Sequence, residues 1–391
     1  MKTILYVYHA SNIGGGSYAM LNIIKALDRT KYKPVVLLKD AGPLTDELQA
    51  MGIEVHLLPL INTVPYNSNL FTLRNIKRVV NIKRSFKKFA DLLLKIKPDI
   101  VYLNTMMLHP YLKIAKGKGV KTIIHVREHW PENEHTIQRN YAISNIRKFA
   151  DHIVAINKFS AAMVADDTHH PTIVYDWIDM EKRFQTMPYS EILGEDCTDK
   201  KVYLCTGGFD PFKGTLEIVR AYSETIEDPE SRLLILGNTP QNNKPKGIRR
   251  FLKKKNNYTP DLLQAIENDN RIKLIPNTYF VTHIYQQAYC VLSYFTIPHA
   301  NLALAENVML QTPVIAANNE EAIEYSNNGE LAILFEANNI IEFKKKLLEF
   351  DKERTGLKER LSQKAAVIAN LFNPQRNIET LESVYDKVCQ K

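Results

Sequence analysis

The chain has 391 residues, 45% of them hydrophobic and 24% charged, a composition that excludes disordered and fibrous classes and allows about two or three domains with cores of their own. No apolar run approaches the ~20 residues that a membrane-spanning helix needs. A net charge of +8 and a sequence pI of about 9.0 point to anionic partners, either the phosphates of a substrate or a lipid surface.

From the amino terminus, Ile4 to Tyr8 reads as a strand rather than a signal peptide, because its apolar run is short and leads into a glycine loop. A helix follows from about Tyr18 to Leu27, then a strand over Pro34 to Lys39, a helix over Leu44 to Met51 and a strand over Glu54 to Pro59. Short alternation of this kind predicts a parallel, doubly wound sheet. The loop itself, Gly14-Gly15-Gly16-Ser17-Tyr18-Ala19, formally fits the dinucleotide pattern G-x-G-x-x-A, but five residues separate it from the strand, where a true fingerprint follows at once. Two other readings stand: a plain flexible loop, or backbone at Gly15 and Gly16 free to approach a ligand at a helix amino terminus.

Arg74 to Lys97 carries nine basic residues against the single acid Asp91, with Ile76, Val79, Ile82, Phe86, Phe89 and Leu93 at helical steps. The amphipathic helix this predicts is either the solvated face of a core-packed element or a surface for anionic lipid headgroups. Strands are predicted over Pro98 to Asn104 and Lys121 to Val126, the second bringing His125, Arg127 and Glu128 to its carboxyl end. Further segments at 150–157 and 172–179 close the first domain. Polar residues 183–200, with Pro188 and Gly194, read as an interdomain linker.

The second half opens on a strand from Lys201, followed by Gly207-Gly208 and then Lys213-Gly214 at a helix start. Amides and one ammonium converging there would cradle a phosphate. Strands are expected at Leu233 to Leu236 and Arg271 to Ile275, and Lys244 to Asn257 reads as a basic surface loop or short helix. Cys290 to Tyr294 is a buried strand, a loop runs through Thr296, Pro298, His299 and Asn301, a helix covers Leu302 to Gln311, and Pro313 begins another strand. In such a βαβ unit ligands bind beyond the carboxyl end of the first strand. Glu306, about one turn into that helix, is either an ordinary helix-terminal charge or an acceptor for ribose hydroxyls. Helices over 340–350, 355–371 and 373–388 complete the chain.

The segment from Tyr289 to Ser326, together with Lys213-Gly214, resembles the nucleotide-sugar half of family-4 retaining glycosyltransferases. Glu306 falls on that family's second glutamate, Pro313-Val314-Ile315-Ala316 on its strand and Glu324 on its later acid. Pro298 stands at its first glutamate and Gly208 at the arginine of its donor site. The resemblance implies a GT-B fold: two Rossmann-like α/β domains with doubly wound parallel sheets facing across a cleft. Its parts would be residues 1–182 on the acceptor side, a 183–200 linker, 201–371 for the nucleotide sugar, and a 372–391 helix returning to the first domain. It implies metal-independent sugar transfer to a glycan or lipid-linked glycan, as in surface polysaccharide assembly. His125 would be the catalytic residue, and Gly15, Gly16, Gly207, Lys213, His299, Asn301, Leu302 and Glu306 would hold the donor. No cofactor is expected, since the nucleotide sugar is itself the substrate, and no nucleic acid partner.

The four cysteines lack metal-ligand spacing and read as the reduced thiols of a cytosolic protein, peripheral on the inner face of the cell membrane if residues 74–97 meet lipid. Two other functions fit the same residues: a glycosyltransferase-like binding or scaffold protein that has lost turnover, and a sugar-nucleotide epimerase on the same fold.

Overall fold

The computed structural model describes every residue except 13, 60, 62, 65–70, 133, 178–187, 239–256, 277–280 and 391. The basic segment expected at 244–257 lies outside the described residues but for Asn257. The chain divides into two units, Met1–Trp177 with Phe372–Lys391, and Ile178–Leu371.

The first unit is built on seven parallel strands: β1 (Lys2–Val7), β2 (Tyr32–Leu38), β3 (Glu54–Leu57), β4 (Ile100–Leu103), β5 (Lys121–Val126), β6 (His152–Ala155) and β7 (Thr172–Ile173). Their order is β3-β2-β1-β4-β5-β6-β7. Central strands are apolar along their whole length because helices cover both faces of a parallel sheet. Side chains therefore sort to two cores: Leu5, Val7, Val101 and Leu103 on one face, Ile4, Tyr6, Ile100 and Tyr102 on the other. The order reverses between β1 and β4, which makes their carboxyl ends the place where a ligand would sit.

The chain's last helix, Pro374–Gln390, belongs to this unit and lays Ile378, Leu381, Val384, Tyr385 and Val388 into the second core. Polar bonds fix its register. The Tyr385 hydroxyl lies 2.9 Å from that of Tyr6, and Asp386 accepts from Tyr32 Oη at 2.8 Å and Lys2 Nζ at 2.9 Å.

The second unit has six parallel strands: β8 (Val202–Cys205), β9 (Arg232–Leu236), β10 (Ile272–Ile275), β11 (Cys290–Ser293), β12 (Val314–Asn318) and β13 (Ile333–Glu336), in the order β10-β9-β8-β11-β12-β13. The reversal here is between β8 and β11.

Two expectations are corrected. Residues 188–200 are not a free linker, since Tyr189–Leu193 is helical and Tyr189 is buried, its hydroxyl donating to the Ile284 carbonyl at 2.5 Å. Glu195 then accepts from Arg232 at 2.6 and 2.9 Å and from Lys200 at 2.8 Å, so the polar composition serves an ion-pair network. The two helices at 340–350 and 355–371 are one, Ile340–Leu371. The residues between the two expected helices are anchored: Asp351 accepts from Lys201 and Tyr289, both at 2.5 Å, and the Arg354 guanidinium stacks 4.3 Å from the Tyr289 ring centre.

Candidate functional site

Each unit carries a polar cluster at the reversal point of its sheet. In the second unit the loop after β8 and the loop after β11 are tied together. Thr296 donates its backbone N–H to the Phe212 carbonyl at 2.8 Å, and the Phe212 and His299 rings lie 5.3 Å apart. Gly214 lets them close: its φ is +63°, and a Cβ there would come within 2.0 Å of the Tyr294 carbonyl oxygen. Gly207 donates its amide to the buried Cys205 thiol at 3.4 Å. Gly208 has φ +56°, a conformation that disfavours any larger residue, so the absence of an arginine here has a backbone counterpart. Lys213 ends the short Pro211–Lys213 turn ahead of the helix Thr215–Thr225, and its side chain is only half-buried.

Glu306 lies on the helix Leu302–Met309, behind β11. Its carboxyl accepts a hydrogen bond from Tyr285, which also bonds Thr206 at the end of β8. Burial pushes the Glu306 carboxyl up to about 7, because taking a carboxylate out of water penalises the charged form. Lys213 and Glu306 thus hang from adjacent strands at one edge. Leu302 opens the helix and is half-buried beside it. Asn301 is buried and committed: its amide donates to Ser293 Oγ at 2.8 Å and its carbonyl accepts from the Leu304 amide at 3.2 Å. These two bonds make the Asn301 side chain the cap of that helix.

In the first unit the helix Gly15–Ala26 begins three residues earlier than expected, with Gly14 as its N-cap and Ser17 Oγ accepting the Gly14 amide at 2.8 Å. Gly15 is exposed at the first turn, and Gly16 lies under the Tyr8 hydroxyl, which would be 2.7 Å from a Cβ. The Gly16 carbonyl accepts from Asn104 Nδ2 at 2.8 Å, and Asn104 Oδ1 accepts from Arg127 Nε at 3.0 Å. Arg127 completes its fork on Asp176, with Oδ2 at 2.6 Å, and donates to His125 Nδ1 at 3.0 Å.

His125 lies deeper than its place at the end of a strand suggests. It is fully buried in β5, and its Nδ1 also meets the Tyr102 hydroxyl at 2.5 Å. Burial and the adjacent guanidinium hold its pKa well below the ordinary value, so the ring is neutral. The ring lies beneath this edge rather than on it. It braces Arg127 from behind. Glu128, by contrast, reaches the edge: its carboxylate accepts from Thr105 Oγ1 and from the amides of Met106 and Arg127, both at 3.0 Å, and burial raises its pKa.

Sequence reasoning missed Asp176 and gave Arg127 no role. Forty-nine residues separate the pair, and no local spacing marks it. Only an acid following a predicted strand, close to the family's closing segment, pointed that way.

The profile of Glycosyltransferase Family 4 matches residues 13–182, and that of Glycosyl transferases group 1 matches residues 194–367. Among curated proteins, none matches the sequence. Solved structures do. Anabaena Alr3699/HepE in complex with UDP-glucose is 18% identical, with 98% of this chain and 100% of that one covered at a TM-score of 0.74. A glycosyltransferase from Rickettsia africae is also 18% identical, over 99% and 98%, at 0.73. A putative UDP-N-acetylglucosamine 2-epimerase from Listeria monocytogenes is 13% identical, over 99% and 98%, at 0.62. Two parallel-sheet units, each with its reversal-point cluster, and two family matches in the expected order make one conclusion: the chain belongs to the family-4 glycosyltransferases and has the GT-B fold.

Proposed function

We propose that the protein transfers a sugar from a nucleotide-sugar donor to a glycan or lipid-linked glycan, as in surface polysaccharide assembly, with the anomeric configuration retained. The observation that supports this reading is the joined edge of the second sheet, where the glycine-rich turn after β8 carries Lys213 and the helix after β11 carries Glu306. The Glu306 carboxylate accepts the two ribose hydroxyls. Amides of the 207–214 turn and the Lys213 ammonium meet the diphosphate, and the loop at His299 and Leu302 faces the sugar. The exposed first turn at Gly15, with Gly16 behind it, is open to phosphate in the same way.

In the reaction an acceptor hydroxyl oxygen forms a bond to the anomeric carbon while the bond from that carbon to the β-phosphate oxygen breaks. Negative charge grows on the departing nucleoside diphosphate, and donors already aimed at it stabilise the transition state. The hydroxyl proton ends on the leaving phosphate. Neither a metal nor a cofactor is part of this scheme. UDP sugars are the first donors to try, because the similar Anabaena protein was crystallised with UDP-glucose.

A second reading, binding without turnover, is favoured by Pro298 and Gly208 at positions where the resembled family has an acid and an arginine. Incubating the protein with a panel of nucleotide sugars, with and without lipid-phosphate and oligosaccharide acceptors, separates the two. Acceptor-dependent release of nucleoside diphosphate and an NMR spectrum showing the donor's anomeric configuration in the product are expected. Donor binding with no transfer to any acceptor overturns the enzyme reading, and an altered sugar formed without acceptor identifies an epimerase.

A further inference from the structure

Glu306 does not stand alone at its edge. Behind it lies Tyr285, on the helix Val281–Gln287 that precedes β11, with 3% of its surface exposed. The Tyr285 hydroxyl donates to the Glu306 carboxyl and is itself paired with Thr206, the first residue after β8. One chain of hydrogen bonds therefore joins the end of β8, the helix Val281–Gln287 and the helix Leu302–Met309.

The backbone of Tyr285 is fixed as well as its side chain. Its carbonyl accepts from Thr312 Oγ1 at 3.1 Å and from the Ala288 amide at 3.0 Å, and the carbonyl of Ile284 before it accepts from the Tyr189 hydroxyl. A phenylalanine would fill the same place in the core. What tyrosine adds is a buried hydroxyl, which costs stability unless it is paired, and the two partners it has here both belong to the donor edge.

Glu306 is half-buried where Tyr285 is buried, so a ligand arriving at this edge meets Glu306, with the phenol behind it. An ionised carboxylate is purely an acceptor and can take both hydroxyls of a ribose, whereas the protonated form must place a proton of its own. Burial works against the ionised form. The Tyr285 hydroxyl works for it, because a donor aimed at a carboxylate favours the charge. Among the described residues, the titratable groups that face Glu306 from the elements packed on it are this phenol and, beyond it, the Cys205 thiol at the end of β8. Burial holds both above their ordinary values, so both keep their protons at neutral pH.

Resting on the transfer reading above, we propose that Tyr285 is a positioning residue of the donor site: its hydroxyl, braced by Thr206, aims the Glu306 carboxylate at the ribose and holds it in its charged form. Because Thr206 leads directly into the 207–214 turn, the ribose contact and the diphosphate contacts belong to one connected unit.

A pH series tests this. UDP-glucose, or whichever nucleotide sugar of the panel wild type binds, is titrated by calorimetry into wild type and Tyr285→Phe. Wild-type affinity is expected to rise with pH and to level off above about 7. Loss of one hydrogen bond to a charged group moves a titration by about one pH unit, so Tyr285→Phe is expected to bind about fivefold more weakly near pH 7 and less than about twofold more weakly near pH 8.5. In a Glu306→Gln background the same change is expected to matter by less than about twofold at every pH. Should Tyr285→Phe not fold, Thr206→Val loosens the chain from its other end and is expected to shift the profile in the same direction by less.

A loss of affinity equal at every pH, or one that persists in the Glu306→Gln background, makes Tyr285 a packing residue and overturns the proposal. Melting curves without ligand separate it from the transfer reading. The stability that falls as pH rises toward 7 in wild type is expected to go on falling for about one further pH unit in Tyr285→Phe. If that shift is seen and wild type binds no nucleotide sugar, the transfer reading fails and the Tyr285–Glu306 coupling stands. If a nucleotide sugar binds and neither profile shifts, the transfer reading stands and the role of Tyr285 is lost.

Discussion

The two reversal-point clusters solve opposite problems. In the first sheet, Arg127 is matched by Asp176, Asn104 and His125, so its charge is spent within the protein and the edge is rigid before any ligand arrives. In the second, Gly207, Gly208 and Gly214 keep the backbone bare, the Lys213 side chain is half-exposed, and Glu306 is held by Tyr285 at a raised pKa. One edge is finished and presents a shape. The other keeps charge and hydrogen-bonding capacity in reserve, which is what binding a nucleoside diphosphate requires.

Breaking the finished edge should cost the most. Arg127→Met leaves Asp176 buried without its counter-ion and is expected to destabilise the protein by about 3–5 kcal/mol in chemical denaturation. A loss below about 1 kcal/mol would mean that the pair is not desolvated. Replacing Gly214 by alanine should cost about 3 kcal/mol, from the left-handed backbone and the collision with the Tyr294 carbonyl. That variant would show whether the joined loops are as tight as the Thr296–Phe212 bond implies.

Smaller effects are expected at the open edge, on binding rather than folding. Glu306→Ala should weaken nucleotide-sugar affinity by about 1–3 kcal/mol in calorimetry. Glu306→Gln sharpens the contrast through pH. The folded carboxyl titrates at about 7, above its ordinary value of 4.5, so the stability it contributes is fully present below about pH 4.5 and lost as pH rises through about 7. A permanently neutral glutamine escapes that loss. Its melting temperature should equal that of wild type near pH 4 and exceed it at pH 8, and a difference independent of pH would place Glu306 in water.

The fold was legible because hydrophobic runs and glycine turns alternate at βα lengths throughout. The places of Lys213 after β8 and of Glu306 on the helix after β11 were legible too, since each sits at a fixed offset from a strand. What escaped depends on three dimensions. Nothing in the run from Lys121 to Val126 says that His125 points into the layer beneath the edge rather than out of it. Asn301 looks like any polar loop residue until its bonds to Ser293 and Leu304 show it to be a cap. Residues 188–200 read as linker because composition cannot distinguish a solvated polar stretch from one paired with Arg232.

The most direct test of the donor site is a calorimetric titration of UDP-glucose and other nucleotide sugars into wild type and Lys213→Met. The account predicts measurable binding of at least one donor to wild type and a loss of tenfold or more in the variant, about 1.4 kcal/mol, with its thermal stability unchanged. Equal affinity in the two proteins would contradict it.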